Sequence, residues 1–198
     1  LTFSQHIKDK CKTETTVLNM LRRNLYYAPK SVKSKAVLPI LEYASTCWTP
    51  NNKKNKNQLE IVNNNAAKFV SNTYPKKGRY DDFSITQILK TLKWNSIENR
   101  REKARLIMAY KVLKGHVILD ADLLPKKNYN RPIRECNNVK VGPKHELIEP
   151  YPRLDVAGST FLYATPKLWN DNVSPSQANA PSINSFKRHL KINNVNIT

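Results

Sequence analysis

The chain has 198 residues, enough for one domain or two small ones. Its 34 Lys and Arg outnumber 15 Asp and Glu, giving a formal net charge of +19, and only 39% of residues are hydrophobic. A modest core is therefore expected beneath a surface that attracts polyanions, nucleic acid first and an anionic membrane second. No apolar run is long enough to span a membrane, and the N-terminus has no hydrophobic segment of the kind a signal peptide needs. Cys11, Cys47 and Cys136 are odd in number and far apart, which argues against a zinc knuckle and for buried free thiols in a reducing compartment. The expectation is an intracellular protein, nuclear or cytoplasmic and not secreted, with no metal and no cofactor. The chain opens at Leu1 rather than Met and reads as helix from there, so it is expected to be a piece of a longer protein.

Taken in chain order, Phe3, Ile7, Cys11, Leu18, Leu21 and Leu25 recur at helical spacings and predict a helix over 3–25, closed by Tyr26, Tyr27, Ala28 and Pro29. A second helix is expected from about Lys30 to Trp48, kinked or restarted at Pro39 and stopped by Pro50. Leu59, Val62, Ala66 and Phe69 form an apolar seam over 54–72, although Asn63, Asn64 and Asn65 are weak helix formers within it. The stretch "TYPKKGRYDDF" reads as loop. Ser84-Ile85-Thr86-Gln87 fits a capping box for a short helix ending near Trp94. Ser96 is a plausible N-cap for a helix over 97–114, whose apolar second half, "LIMAYKVL", should be the centre of the core, with Gly115 as its C-cap.

Beyond Gly115, prolines cut the chain into short pieces. "NVKV" and "STFLYA" carry a weak strand signal. Thr165-Pro166 reads as N-cap and first residue of a short helix with Leu168 and Trp169. Ser182 heads a last helix with Ile183, Phe186 and Leu190 on one face. The fold class is mainly α: a basic helical region over 1–116, then a proline-rich, mostly irregular extension over 117–198 with short helices and room for one short strand pair. The three segments 1–72, 73–116 and 117–198 carry net charges of +8, +7 and +4, so the electrostatic footprint lies in the first 116 residues.

Six stretches, in this order, carry a resemblance: "LRRNL" (21–25), "PILEYASTCW" (39–48), "LEIVNNNAAKFVSNTY" (59–74), "LKWNSIENRREKARLIMAYKVLKG" (92–115), "TPKLWN" (165–170) and "APSINSFKRHL" (180–190). Together they resemble the region that follows the catalytic palm in reverse transcriptases of jockey-type non-LTR retrotransposons. Each motif is weak alone; six in one order are specific, and they cover nearly the whole chain. The resemblance implies a thumb-like helical subdomain with a C-terminal extension, gripping a template–primer duplex and working beside an upstream polymerase palm of the same polyprotein.

The chain departs from the family in four places. About one helical turn is missing between Ala36 and the "PILEY" motif, and Leu38 stands where the family has Arg. Asn63, Asn64 and Asn65 replace basic residues, and Asp171-Asn172-Val173 replace a Leu-Pro step. These departures fit an alternative: a degenerate remnant that acts only as a structural or protein-interaction piece, or has no function.

The residues are read as follows. Arg22, Arg23, Lys30, Lys33 and Lys35 cluster with no nearby acid and are expected to meet phosphate. Arg100, Arg101, Lys103 and Arg105 occupy the solvent-biased half of their helix and suit phosphate as well, with pairing to Glu98 and Glu102 as the competing reading. Glu42 either pairs with a surface cation or is buried and bonded by Arg100 or Arg101. Tyr26, Tyr27 and Trp94 sit beside basic runs, as base-stacking aromatics would, but core packing is the preferred reading. "RYDDF" (79–83) imitates the aromatic-x-Asp-Asp box of reverse transcriptases, yet Tyr80 abuts Asp81 and no apolar strand flanks it. The chain is expected to be no enzyme by itself: the palm carboxylates belong upstream, and His6, His116, His145 and His189 have no nucleophile beside them. No membrane contact and no small-molecule substrate is expected.

Overall fold

In the computed structural model, described for residues 4–43, 45–47, 50, 52–73, 84–119, 146–153, 155–158 and 160–190, the chain is predominantly helical. The order is α1 (Ser4–Asn24), α2 (Lys30–Glu42), α3 (Lys53–Ser71), α4 (Ile85–Leu92), α5 (Ile97–Leu113), α6 (Asp155–Gly158), α7 (Phe161–Asn172), α8 (Pro175–Ala178) and α9 (Ile183–His189). Two compact units emerge. The first is Leu1–Ser45 with Pro50–Arg101, and the second is Thr46–Thr49 with Glu102–Thr198. The division expected after residue 116 falls instead inside α5, because the apolar second half of that helix supplies the core of the C-terminal unit.

In the first unit α3 is central and packs on α1, α2 and α4. Leu59, Val62, Ala66, Phe69 and Val70 on it are buried, along with Ile7 and Leu18 of α1 and Val37 and Leu41 of α2. Ala66 and Ala67 have no exposed surface, and small side chains of this kind let neighbouring helices approach. Asn52 caps α3, its Oδ1 accepting from the Asn55 N–H at 2.7 Å. Asn72 ends it in the left-handed conformation, φ 60°. Ser84 heads α4 as expected, but its side chain makes no capping hydrogen bond, so the capping box is not formed.

Helix α2 ends at Glu42 rather than Trp48 and runs through Pro39 instead of restarting there. Pro39 removes the hydrogen bond to the Lys35 carbonyl and crowds that carbonyl, and the burial of Val37 and Leu41 on either side of it favours the helix all the same.

In the second unit Leu106, Ala109, Tyr110, Leu147, Trp169, Val173, Ala180, Phe186 and Leu190 form the core, with Ile107, Leu113 and Phe161 packed against it. Tyr110 stacks on Phe186 at 4.4 Å and Phe186 on Trp169 at 5.8 Å. The buried Tyr110 hydroxyl donates to the Ala180 carbonyl at 2.6 Å. Gly115 closes α5 at φ 73°, as expected of a C-cap, and Ser182 caps α9 by accepting from Ser185 N–H at 3.2 Å.

Two expectations for the C-terminal unit are corrected. "STFLYA" is not strand: Phe161 begins α7, and the helix runs through Pro166 rather than starting there. Trp169 is what holds it, since a fully buried indole outweighs local strand propensity. "NVKV" lies outside the described residues. A capping box at Ser174, with Pro175 as first residue and Gln177 returning to the Ser174 N–H, starts α8. Its Ser-x-x-Gln spacing is a local signal that the sequence carries openly.

Candidate nucleic-acid interface

Between Glu14 and Glu42 the sequence has no carboxylate, yet it carries Arg22, Arg23, Lys30, Lys33 and Lys35. The structure divides these five. Arg23, at the last turn of α1, and Lys30 and Lys35, on α2, are exposed. Arg22 turns back onto its own unit, donating to Asn19 Oδ1 and to the Asn65 carbonyl of α3, both at 3.1 Å.

Lys33 is entirely buried, an unusual state for lysine. Its ammonium donates to the Tyr26 carbonyl at 2.8 Å and to Asn72 Oδ1, and it lies 5.0 Å from the Phe69 ring centroid. Burial lowers its pKa. Lys33 is therefore withdrawn as a phosphate ligand. It pins the α1–α2 turn to the C-terminal end of α3, using backbone and amide oxygens in place of an anion.

The α5 set is also corrected. Arg101 and Arg105 are 5% and 4% exposed, so this half of the helix is not a solvated face. Arg101 lies near Cys11 and Glu14, and Arg105 near Glu102 and Cys47. Arg100 Nη1 donates to Glu42 Oε1 at 2.9 Å, Nη2 donates to Asn63 Oδ1, and the guanidinium lies 5.4 Å from the Trp94 ring centroid. Arg100 thus joins two helices through Glu42, with Glu42 itself half-exposed rather than buried. Burial depresses the Arg100 pKa, while Glu42 and Glu60 oppose that shift. Lys103 is half-buried, in the second unit.

The network continues through Glu60, which no sequence pattern singles out, and through Ser96, the expected N-cap of α5. Glu60 accepts from Asn63 Nδ2 at 2.8 Å and from the Ile97 N–H at 3.1 Å, while Ser96 Oγ accepts from the Asn99 N–H at 3.2 Å. The first turn of α5 is thus held by a carboxylate and a hydroxyl, both favourable at a helix N-terminus. Asn63 is fully buried within this network. A basic side chain there would face Arg100 at close range, so asparagine is the residue this arrangement requires.

The aromatics also divide. Trp94 packs partly buried against Ile88 and Leu89. Tyr26 and Tyr27 do not belong to the core: they are 58% and 95% exposed, in a T-shaped pair with centroids 5.0 Å apart. Arg23 precedes this pair by three positions and Lys30 follows it by three. The exposed cations left to meet a polyanion here are Arg23, Lys30 and Lys35. In sequence these charges are one-signed, since residues 15–41 hold no carboxylate.

Elsewhere, no group of three or more His, Cys, Asp or Glu residues able to hold a metal ion occurs among the described residues. No helix among them is long and apolar enough to cross a membrane. "RYDDF", Cys136 and His145 lie outside the described residues. Comparison with family models, with curated proteins and with solved structures finds no match.

Proposed function

We propose that this chain is a non-catalytic nucleic-acid-gripping segment that holds the backbone of a duplex without reading its sequence. The observation that carries the reading is the exposure of Arg23, Lys30 and Lys35 in a stretch of sequence, 15–41, that holds no carboxylate, in a chain of net charge +19. Such a surface binds phosphate through counterion release and has no base-reading element, so affinity is salt-dependent and sequence-independent. The resemblance to the thumb of jockey-type reverse transcriptases supports the same reading and supplies its partner, a polymerase palm encoded upstream. In that reading the chain alone extends no primer, and an Asp81→Ala/Asp82→Ala variant behaves as the unaltered chain does. Primer extension abolished by that double change would assign catalysis to 79–83 and overturn the reading.

The direct test is fluorescence anisotropy with a labelled duplex at several salt concentrations. Every phosphate that a variant no longer neutralises should reduce the slope of log K against log salt by about 0.9 on B-DNA. Arg23→Ala/Lys30→Ala/Lys35→Ala should therefore lower its magnitude by up to about 3. Lys187→Ala/Arg188→Ala, at the exposed end of α9, should matter less. The competing reading, a purely structural or protein-interaction remnant, is favoured by the inward turn of Lys33, Arg100, Arg101 and Arg105. A flat salt dependence, or equal losses in both variants, would leave that reading standing.

A further inference from the structure

The Tyr26–Tyr27 pair is the feature that backbone gripping leaves unexplained. Duplex backbone contact needs cations and hydrogen-bond donors; it can use a phenol hydroxyl but leaves the exposed ring face without a partner. Tyr27 is 95% exposed, so at least one face of its ring is open, and the Tyr26 ring meets it at 89°. The turn that carries them is not loose. Leu25 N–H donates to the Leu21 carbonyl at 2.8 Å and Ala28 N–H to the Leu25 carbonyl at 3.1 Å. The Lys33 ammonium, without exposed surface, fixes the Tyr26 carbonyl from beneath. A fully buried lysine thus anchors the backbone of the turn that carries the two exposed rings.

We infer that Tyr26 and Tyr27 form a stacking platform for one unpaired nucleobase of a single-stranded segment, with Arg23 and Lys30 meeting the phosphates on either side. This rests on the nucleic-acid reading above and deepens it by naming what the corner takes. The argument for this occupant is charge complementarity. Arg23 and Lys30 flank the rings at equal sequence distance, and no carboxylate lies between residues 15 and 41. A base has an apolar face for the ring and carries an anion on both sides, which matches this order of groups. The perpendicular arrangement allows one base to lie on a ring, and the second ring supports the first from its edge. A protein partner would need an apolar ring contact set between two acidic residues, which is a less general match.

The test uses the 198-residue chain and three labelled probes of about twelve nucleotides, within the site size of single-strand binders: oligothymidylate, an all-abasic strand of the same length, and a duplex. Anisotropy is read over a salt series for the unaltered chain, Tyr27→Ala, Tyr27→Phe, Arg23→Ala/Lys30→Ala, and Tyr151→Ala. Tyr151 is 94% exposed in the second unit and serves as a control for loss of an exposed ring. Tyr27→Ala should weaken oligothymidylate binding roughly five- to a hundredfold, the loss of one stacked base. It should change abasic-strand binding by less than about twofold and leave the salt slope as it was. Tyr27→Phe should retain binding, because the ring is kept. Arg23→Ala/Lys30→Ala should instead weaken all three probes and flatten the slope.

Salt-dependent binding with Tyr27→Ala indistinguishable from the unaltered chain on oligothymidylate would overturn the platform and leave the backbone grip intact. Equal losses from Tyr27→Ala on the thymidylate and abasic strands would overturn it too, since no base is then involved. Absence of salt-dependent binding to every probe would sink both proposals. Tyr27 is so exposed that its substitution does not disturb the fold, and far-ultraviolet circular dichroism of each variant checks that directly.

Discussion

Replacing Glu14 by Gln should make the first unit more stable above neutral pH and leave it nearly unchanged below about pH 5. Glu14 is 7% exposed on α1, beside an apolar recess lined by Leu18, Leu21, Val37, Ile40, Leu41, Val62 and Ala66. The recess has room for one water at most. Among the described residues, Glu14 Oε2 has no hydrogen-bond partner. Lys10 on α1 and Arg101 are the cations close enough to act on it, and their pull is smaller than the cost of desolvation. Burial therefore raises its pKa from 4.5 to about 7.

The sign follows from proton linkage. Between pH 4.5 and about 7 the folded state holds a proton that the unfolded chain releases, so stability falls as pH rises through that window. A shift of this size corresponds to at most roughly 3 kcal/mol, and relaxation of the site lowers the expected loss to about 1–3 kcal/mol. Gln has the same shape and no charge to desolvate, so it escapes that loss. The assay is urea unfolding followed by circular dichroism at about pH 5, 6, 7 and 8 for both chains. The window stops there because Cys11, whose pKa is raised above 9.0 by burial and by Glu14, titrates beyond it. Every other titrating group is common to both chains, so the difference between the two profiles isolates Glu14. Parallel profiles, or a Gln variant less stable at the alkaline end, would refute the claim that an inward-facing, weakly compensated carboxyl sits here.

Three further outcomes follow from the packing. Lys33→Ala should cost about 1–3 kcal/mol, because Asn72 and the Tyr26 carbonyl lose their donor, and urea midpoints measure it; a loss under about 0.5 kcal/mol would deny Lys33 its pinning role. Arg100→Lys should cost about 1–2 kcal/mol, since an ammonium cannot replace the fork that serves Glu42 and Asn63 together, and near-native stability would show that the second arm contributes nothing. Tyr110→Phe should cost about 1–2 kcal/mol by leaving the Ala180 carbonyl unpartnered in the core, a loss visible in thermal unfolding of the chain.

What the sequence discloses and what it conceals divide by range. The long helices, the Ser96 and Ser182 caps, the Gly115 terminus and the core around Leu106, Tyr110, Trp169 and Phe186 rest on patterns a few residues wide. Periodicity and cap chemistry read such patterns directly. The errors concern what distant segments do to one another. Pro39 and Pro166 look like boundaries because local backbone rules disfavour helix there, and packing overrides both. The fate of the cations is least legible. Lys33 reaches Asn72 across 39 positions, Arg22 reaches Asn65 across 43, and Arg100 reaches Glu42 across 58.

A charge with no acid nearby in sequence looks as though it must seek phosphate or water. That inference omits the protein's own carbonyl and amide oxygens, which can satisfy a cation without carrying charge. Here those oxygens take up Arg22 and Lys33, and of the five cations at the α1–α2 corner only Arg23, Lys30 and Lys35 remain exposed. The same correction bears on the departures from the jockey-type pattern. In the sequence Asn63 looks like the loss of a basic residue, yet it is fully buried, accepts from Arg100 and donates to Glu60. Drift without constraint would not be expected to leave a buried amide with both ends matched, since an unmatched one costs about 1–3 kcal/mol. At that position the asparagine fits a maintained helical unit better than it fits decay, and Asn63→Lys is the change that separates the two. In a maintained unit it sets an ammonium against Arg100 and destabilises the chain markedly in urea; a neutral effect would return Asn63 to the remnant's side of the argument.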